Sequence, residues 1–291
     1  MILLHDPTFA DYLEDAAVFG PEANLVGVHC STQMSDADDR FAALMITPGM
    51  LPSSGPYRLH VKLARRLAAI GISSLRFDLS GIGESLAVGT VGSSLDRAAS
   101  EISSAINFLH ETQGVERVAL FGLCSGADDA LYAAQKDNRI TGVFSVDGLG
   151  YRTPRYRWHR ITRNYLPKLA SKRAWTNRVR RLLGKIEAVP DTLRTGSDIR
   201  EFPDRITAAQ QLTELVHRGV TMHFHYTGGV TDYYNHAEQF KEMFQGTVLG
   251  KSGAIDQITT SYHQESDHVS FLIEHREDLI QMATDWFAGL K

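Results

Sequence analysis

The sequence predicts an α/β protein: a mostly parallel, eight-stranded sheet with helices on both faces. Short apolar runs alternate with stretches of helical periodicity along most of the 291 residues. In Arg117-Val-Ala-Leu-Phe-Gly-Leu-Cys-Ser-Gly-Ala-Asp-Asp-Ala-Leu-Tyr-Ala-Ala134 a buried strand passes into a small-residue helix across a turn flanked by glycines. A chain of this length that is 43% hydrophobic can also bury one large core carrying an insertion.

Taken in order, the pattern predicts strands at Asp15 to Val18, Leu25 to Cys30 and Phe41 to Ile46, an antiparallel entry to the sheet broken by Gly20-Pro21 and Ser35 to Asp39. Gly55-Pro56-Tyr57-Arg58 opens a helix with Leu59, Leu63, Leu67 and Ile70 on one face, and Gly71 ends it. Ser73 to Phe77 is the next strand. It runs into Asp78-Leu-Ser-Gly81-Ile-Gly83-Glu-Ser85, whose Gly-x-Gly lacks the third glycine of a dinucleotide site. Residues 94 to 110 form a helix with Leu95, Ala98, Ile102, Ile106 and Leu109 inward, before the strand and helix quoted above. Strands at Ile140 to Val146, Val220 to Tyr226 and Gln257 to Thr260 precede a terminal helix from Phe271. Residues 148–210 interrupt the alternation and read as a helical cap inserted into a core of residues 1–147 and 211–291.

Composition narrows the class further. Net charge is −4, and no apolar run approaches the roughly 18 residues of a membrane span. The Met1-Ile-Leu-Leu-His-Asp-Pro start lacks the basic residues and cleavage site of a signal peptide, so a cytoplasmic protein without a membrane span is expected. Cys30 and Cys124 make no disulfide framework, and no Cys/His spacing suggests zinc; neither metal nor cofactor is expected.

The frame Gly122-Leu123-Cys124-Ser125-Gly126 reads as Gly-x-nucleophile-x-Gly. On so sharp a turn, larger neighbours would collide with the facing strand and helix. A thiol placed there sits at a helix N-terminus, where unpaired N–H groups favour an anion and lower a cysteine's pKa. Ser125 falls out of frame as a nucleophile on the same turn.

Thr47-Pro-Gly-Met50, Gly55 to Arg58, Leu75 to Ser85, Gly122 to Gly126, the Asp232 loop and Asp267-His268 together resemble the α/β-hydrolase fold over nearly the whole chain. Within it the chain looks most like the serine aminopeptidase-like branch, including exosortase-system-associated hydrolases, and its Gly-x-Cys-x-Gly turn is similar to that of dienelactone hydrolase. The resemblance implies a triad in the order nucleophile, acid, histidine, met by Cys124, Asp232 and His268. Asp147, at the end of the preceding strand, is the rival acid, while Asp267 is expected to point elsewhere or cap the helix. The oxyanion donors implied are the N–H groups of Ser125 and of Gly49 or Met50, with Met50 preferred.

Such a site implies a hydrolase of activated acyl substrates, thioesters, esters or lactones, working through an acyl-enzyme. The alternatives are an acyltransferase using the same intermediate and a non-catalytic ligand-binding member of the fold. Between Gly148 and Ile186 stand twelve basic residues and no Asp or Glu. A basic rim of this kind suits an acyl group carried on coenzyme A or an acidic carrier protein, with no role for nucleic acid beneath it. The oligomeric state is left open by the sequence.

Overall fold

The computed structural model describes residues 12–32, 34, 40–88, 92–162 and 202–291. Eight strands form one sheet: β1 (Tyr12–Phe19), β2 (Leu25–Thr32), β3 (Phe41–Ile46), β4 (Ser73–Phe77), β5 (Arg117–Leu123), β6 (Ile140–Val146), β7 (Thr221–Thr227) and β8 (Thr259–His263). Their order across the sheet is β1-β2-β4-β3-β5-β6-β7-β8. β2 runs antiparallel to both β1 and β4, and every other pairing is parallel. The antiparallel entry and parallel body thus match the pattern of the sequence.

The helices are α1 (Leu59–Ala68), α2 (Ser94–Gln113), α3 (Ser125–Lys136), α4 (Pro154–Arg160), α5 (Arg205–His217), α6 (Gln239–Met243), α7 (Val248–Lys251) and α8 (Ile273–Ala288). The central strands are covered on both sides, which is why they read as continuous apolar runs. Along β5, Val118 and Leu120 join the core under α2, α3 and α5, while Ala119, Phe121 and Leu123 join the core under α1 and α8. α2 begins at a reciprocal capping box of Ser93 and Asp96 and stops at Gly114, which takes the left-handed conformation at φ 74°.

Several element boundaries depart from expectation by a few residues. β8 starts two residues later than predicted, because Ala254–Gln257 forms a 3-10 turn. The last helix begins at Ile273, since residues 269–272 are held in the loop that follows His268. α5 crosses residue 210, where the cap was expected to end, and packs Ala208, Ala209, Leu212 and Leu215 into the core. The carboxyl ends of β3, β5, β6, β7 and β8 lie along one edge of the sheet, the edge where ligands collect in open α/β sheets.

Candidate active site

At the end of β5 the chain turns sharply through Cys124, whose φ of 57° and ψ of −124° lie outside the regions ordinary side chains favour. The turn is held by the Cys124 N–H donating to Val146 O at 2.9 Å, and α3 starts at the next residue. Glycine is required on either side. A Cβ on Gly122 would collide with the backbone of Gly126 and Ala127, and one on Gly126 would press within 2.8 Å of the Ile46 and Thr47 carbonyls. Cys124 is partly exposed, whereas Cys30 is fully buried, and burial, reinforced by Glu14, pushes its thiol up to about 12. Only one of the two cysteines is placed to react.

The His268 ring meets this thiol on one side and a carboxylate on the other. Nδ1 donates to Asp147 Oδ2 at 2.8 Å, and a hydrogen bond joins the imidazole to the Cys124 side chain. Burial works against a charged ring, but the hydrogen bonds and charges of Asp147 and Cys124 outweigh it and raise the imidazole from 6.5 to about 10. The two partners thus both favour the protonated form of the ring.

The carboxylate against the His268 ring is that of Asp147, and not that of Asp232 as the sequence led one to expect. Asp147 follows β6 directly, is fully buried, and adopts a φ of 51°. Its Oδ1 accepts the Thr227 N–H at 2.7 Å, and its Oδ2 accepts the Thr227 hydroxyl at 2.6 Å besides the imidazole. Its own N–H donates to His225 O, and its carbonyl accepts from the Tyr233 hydroxyl at 2.7 Å. Asp232 is exposed, and its carboxylate makes no hydrogen bond to His268. What its loop offers is backbone: the Asp232 carbonyl accepts from Arg152 Nε at 2.7 Å and from the Tyr156 hydroxyl at 2.6 Å, docking α4 on the body. The loop after β7 also runs flush against the histidine loop. A Cβ on Gly229 would collide with His268 and one on Gly228 with Gln264. Asp267 serves its own loop, accepting the N–H groups of Val269 and Phe271.

Thr47 to Leu51 leaves β3 beside the elbow and is closed as a turn by Leu51 N–H donating to Pro48 O at 3.1 Å. The Met50 side chain is 93% exposed, so any part it plays at the site is through its backbone. Neither the Met50 nor the Ser125 N–H is hydrogen-bonded among the described residues. The Gly49 N–H, the other candidate donor, is already committed to Ser125 Oγ at 2.7 Å. That bond ties the loop to the first residue of α3.

Comparison of the sequence with known families finds no match, and neither does comparison with curated proteins. Solved structures do match in shape. A candidate dienelactone hydrolase from Klebsiella pneumoniae aligns at a TM-score of 0.59 and 12% identity, over 96% of this chain and 99% of its own. An esterase from Pyrococcus furiosus aligns at 0.54 and 13%, over 96% and 91%. A dienelactone hydrolase from Anabaena variabilis aligns at 0.51 and 16%, over 96% and 98%. The fold is that of the α/β hydrolases. At these identities the likeness is one of fold, and the chemistry has to be argued from this chain's own side chains.

In this α/β-hydrolase fold, then, the structure brings Cys124, His268 and Asp147 together, leaves the Asp232 carboxylate away from the ring, and puts the loop of Met50 against Ser125 through the Gly49 N–H. Thr227 was missed by sequence reasoning. Its signal was a threonine at the last position of a strand adjacent to the one ending at Asp147. Asp147→Asn is expected to lower kcat/KM by about a hundredfold or more through loss of the ring's tautomer and charge, and Asp232→Asn to change it by less than about twofold. Steady-state kinetics of the two variants on one ester decides; a deeper loss in Asp232→Asn returns the role to the β7 loop. Ser125→Ala, which frees the Gly49 turn, is expected to cut acyl-substrate turnover about tenfold while iodoacetamide still alkylates Cys124 at the wild-type rate, since alkylation forms no oxyanion. Equal slowing of both reactions would show general damage to the elbow instead.

Proposed function

We propose that this protein hydrolyses activated acyl substrates through a Cys124–His268–Asp147 triad and a covalent acyl-enzyme. The observation that carries the reading is the unbroken chain from the buried Asp147 carboxylate through the imidazole to a thiol held on a positive-φ elbow. A free cysteine is only a few per cent thiolate at neutral pH; a partner imidazolium changes that balance.

The thiolate attacks the acyl carbon, and the carbonyl π pair moves onto oxygen, where the Met50 and Ser125 N–H groups receive the charge. The adduct collapses, expelling the leaving group, which takes the proton from His268 and leaves the ring neutral. Water then gives its proton to the neutral ring and attacks the thioester. The carboxylic acid departs and the thiolate–imidazolium pair is restored. Because thiolate leaves a tetrahedral adduct more readily than an unprotonated amine, thioesters, lactones and activated esters are the fitting substrates, and simple amides are not. The Cys-containing turn is the feature shared with dienelactone hydrolase, and a place in the serine aminopeptidase-like branch is part of the same proposal.

The carrier part of the reading rests on the basic cap. Eight of its twelve basic residues, from Arg163 to Lys185, lie outside the described residues. Of the other four, Arg152 binds the Asp232 carbonyl and Arg155 pairs with Glu242 at 3.1 Å, so two serve the docking of α4. Coenzyme A or a carrier protein is therefore best tested directly. Intact-protein mass spectrometry after exposure to acyl thioesters, with and without the coenzyme A moiety, should show one acyl adduct on wild type and none on Cys124→Ala. Iodoacetamide should label Cys124 and leave Cys30 unmodified. Acylation that persists in Cys124→Ala would remove the nucleophile assignment.

A further inference from the structure

A cavity of about 290 Å³ lies between α3, α5 and the segment that follows β6. Carbon-rich side chains dominate its wall, among them Leu95, Leu131, Leu149, Phe202, Leu212 and Leu215. α3 contributes Asp128, Leu131, Tyr132 and Gln135, spaced i, i+3, i+4 and i+7, so one stripe of the helix lines the space from end to end. That stripe begins one turn after Cys124, about 6 Å along the helix axis, and runs about 10 Å further. The near end is also marked by Leu149, two residues after Asp147, and Asp128 Oδ1 lies 3.6 Å from where a Cβ on Gly148 would stand. Asp128 thus stands four residues after Cys124 and Leu149 two after Asp147, so the segments lining this end continue from the proposed nucleophile and acid.

Resting on the acyl-enzyme reading, we infer that this cavity receives the tail of the acyl group, and that the tail is an uncharged, predominantly apolar chain of medium length. The volume sits at the lower limit of small-molecule sites, too little for a whole carrier-linked substrate and enough for part of one. The wall includes the Asp128 carboxylate and, among the described residues, no basic side chain. An acyl chain ending in a carboxylate would be desolvated there with no basic side chain of the described lining to meet it, so such chains are disfavoured.

The test is a series of acyl thioesters with one leaving group, from acetyl to dodecanoyl, together with the ω-carboxyl counterpart of the hexanoyl member. In wild type, kcat/KM should rise about fourfold per methylene until the cavity is full and then level off, as expected for burial of successive CH₂ groups. The hexanoyl thioester should exceed its carboxylated counterpart by about tenfold or more. Gln211→Trp, at the half-buried wall of α5, should lower the octanoyl-to-acetyl ratio and shorten the preferred chain; Leu212→Ala should lengthen it. A binding arm free of catalysis uses 1-octanol, which should raise the melting temperature of wild type and not of Gln211→Trp. A flat chain-length profile, ratios that neither variant moves, or no effect of octanol would each overturn the assignment. With Cys124 still acylated by the acetyl member, such a result leaves the catalytic reading standing; loss of acylation alone, with octanol bound, removes the triad and leaves the cavity.

Discussion

The carboxylate of Asp147 is the interaction on which the site depends. It is fully buried, and three donors converge on it: the N–H and hydroxyl of Thr227 at the end of β7 and the ring of His268 in the loop after β8. A buried carboxylate is tolerable only when so satisfied, and each of these bonds also fixes a loop. Thr227 joins the end of β7 to the end of β6, and the imidazole joins both to the loop after β8. The Cys124 thiol, just after β5, completes the line through its hydrogen bond to the ring. Four adjacent strand ends are thereby tied into one arrangement, and the proposed chemistry rests on it.

Backbone strain is concentrated at the same edge. Cys124 and Asp147 both hold positive φ without being glycine, and Ser270 does so two residues beyond His268. Such conformations cost about 1–3 kcal/mol each and persist where surrounding structure over-determines them. Here the determinants are visible: the sheet bond from Cys124 N–H to Val146 O, the bond from Asp147 N–H to His225 O, and glycines that let the loops approach within contact distance. The strain sets the thiol at the start of α3, close to the ring and to the free N–H groups of the helix.

Much of this was legible in the residues. The apolar runs of β3, β5 and β6, the glycines around Cys124 and the Asp267-His268 pair mark the sheet, the elbow and the proposed base with local information alone. The acid was not so readable, because Asp147 and Asp232 both follow strands that end at the site. What separates them is non-local. Gly228 and Gly229 pack flush on the histidine loop, the 3-10 turn at Gly228–Val230 carries the chain on, and the Asp232 carbonyl is taken up by α4. Choosing Asp147 required knowing that Thr227 lies beside it across the β6–β7 pair. The Gly49–Ser125 bond was equally hidden, since it joins residues 76 apart.

The central claim is that Asp147 and His268 hold Cys124 as a thiolate. Its most direct test is the ultraviolet absorbance of the thiolate, titrated as the difference between wild type and Cys124→Ala. The account predicts that the Cys124 signal is present at neutral pH and appears well below the ordinary cysteine value of about 8.5. It should then coexist with a protonated ring until the pH rises through about 10, with Cys30 silent because its thiol is pushed up to about 12. In Asp147→Asn the titration should move upward. A wild-type thiolate that forms only near the ordinary value, or one that Asp147→Asn leaves in place, would contradict the account.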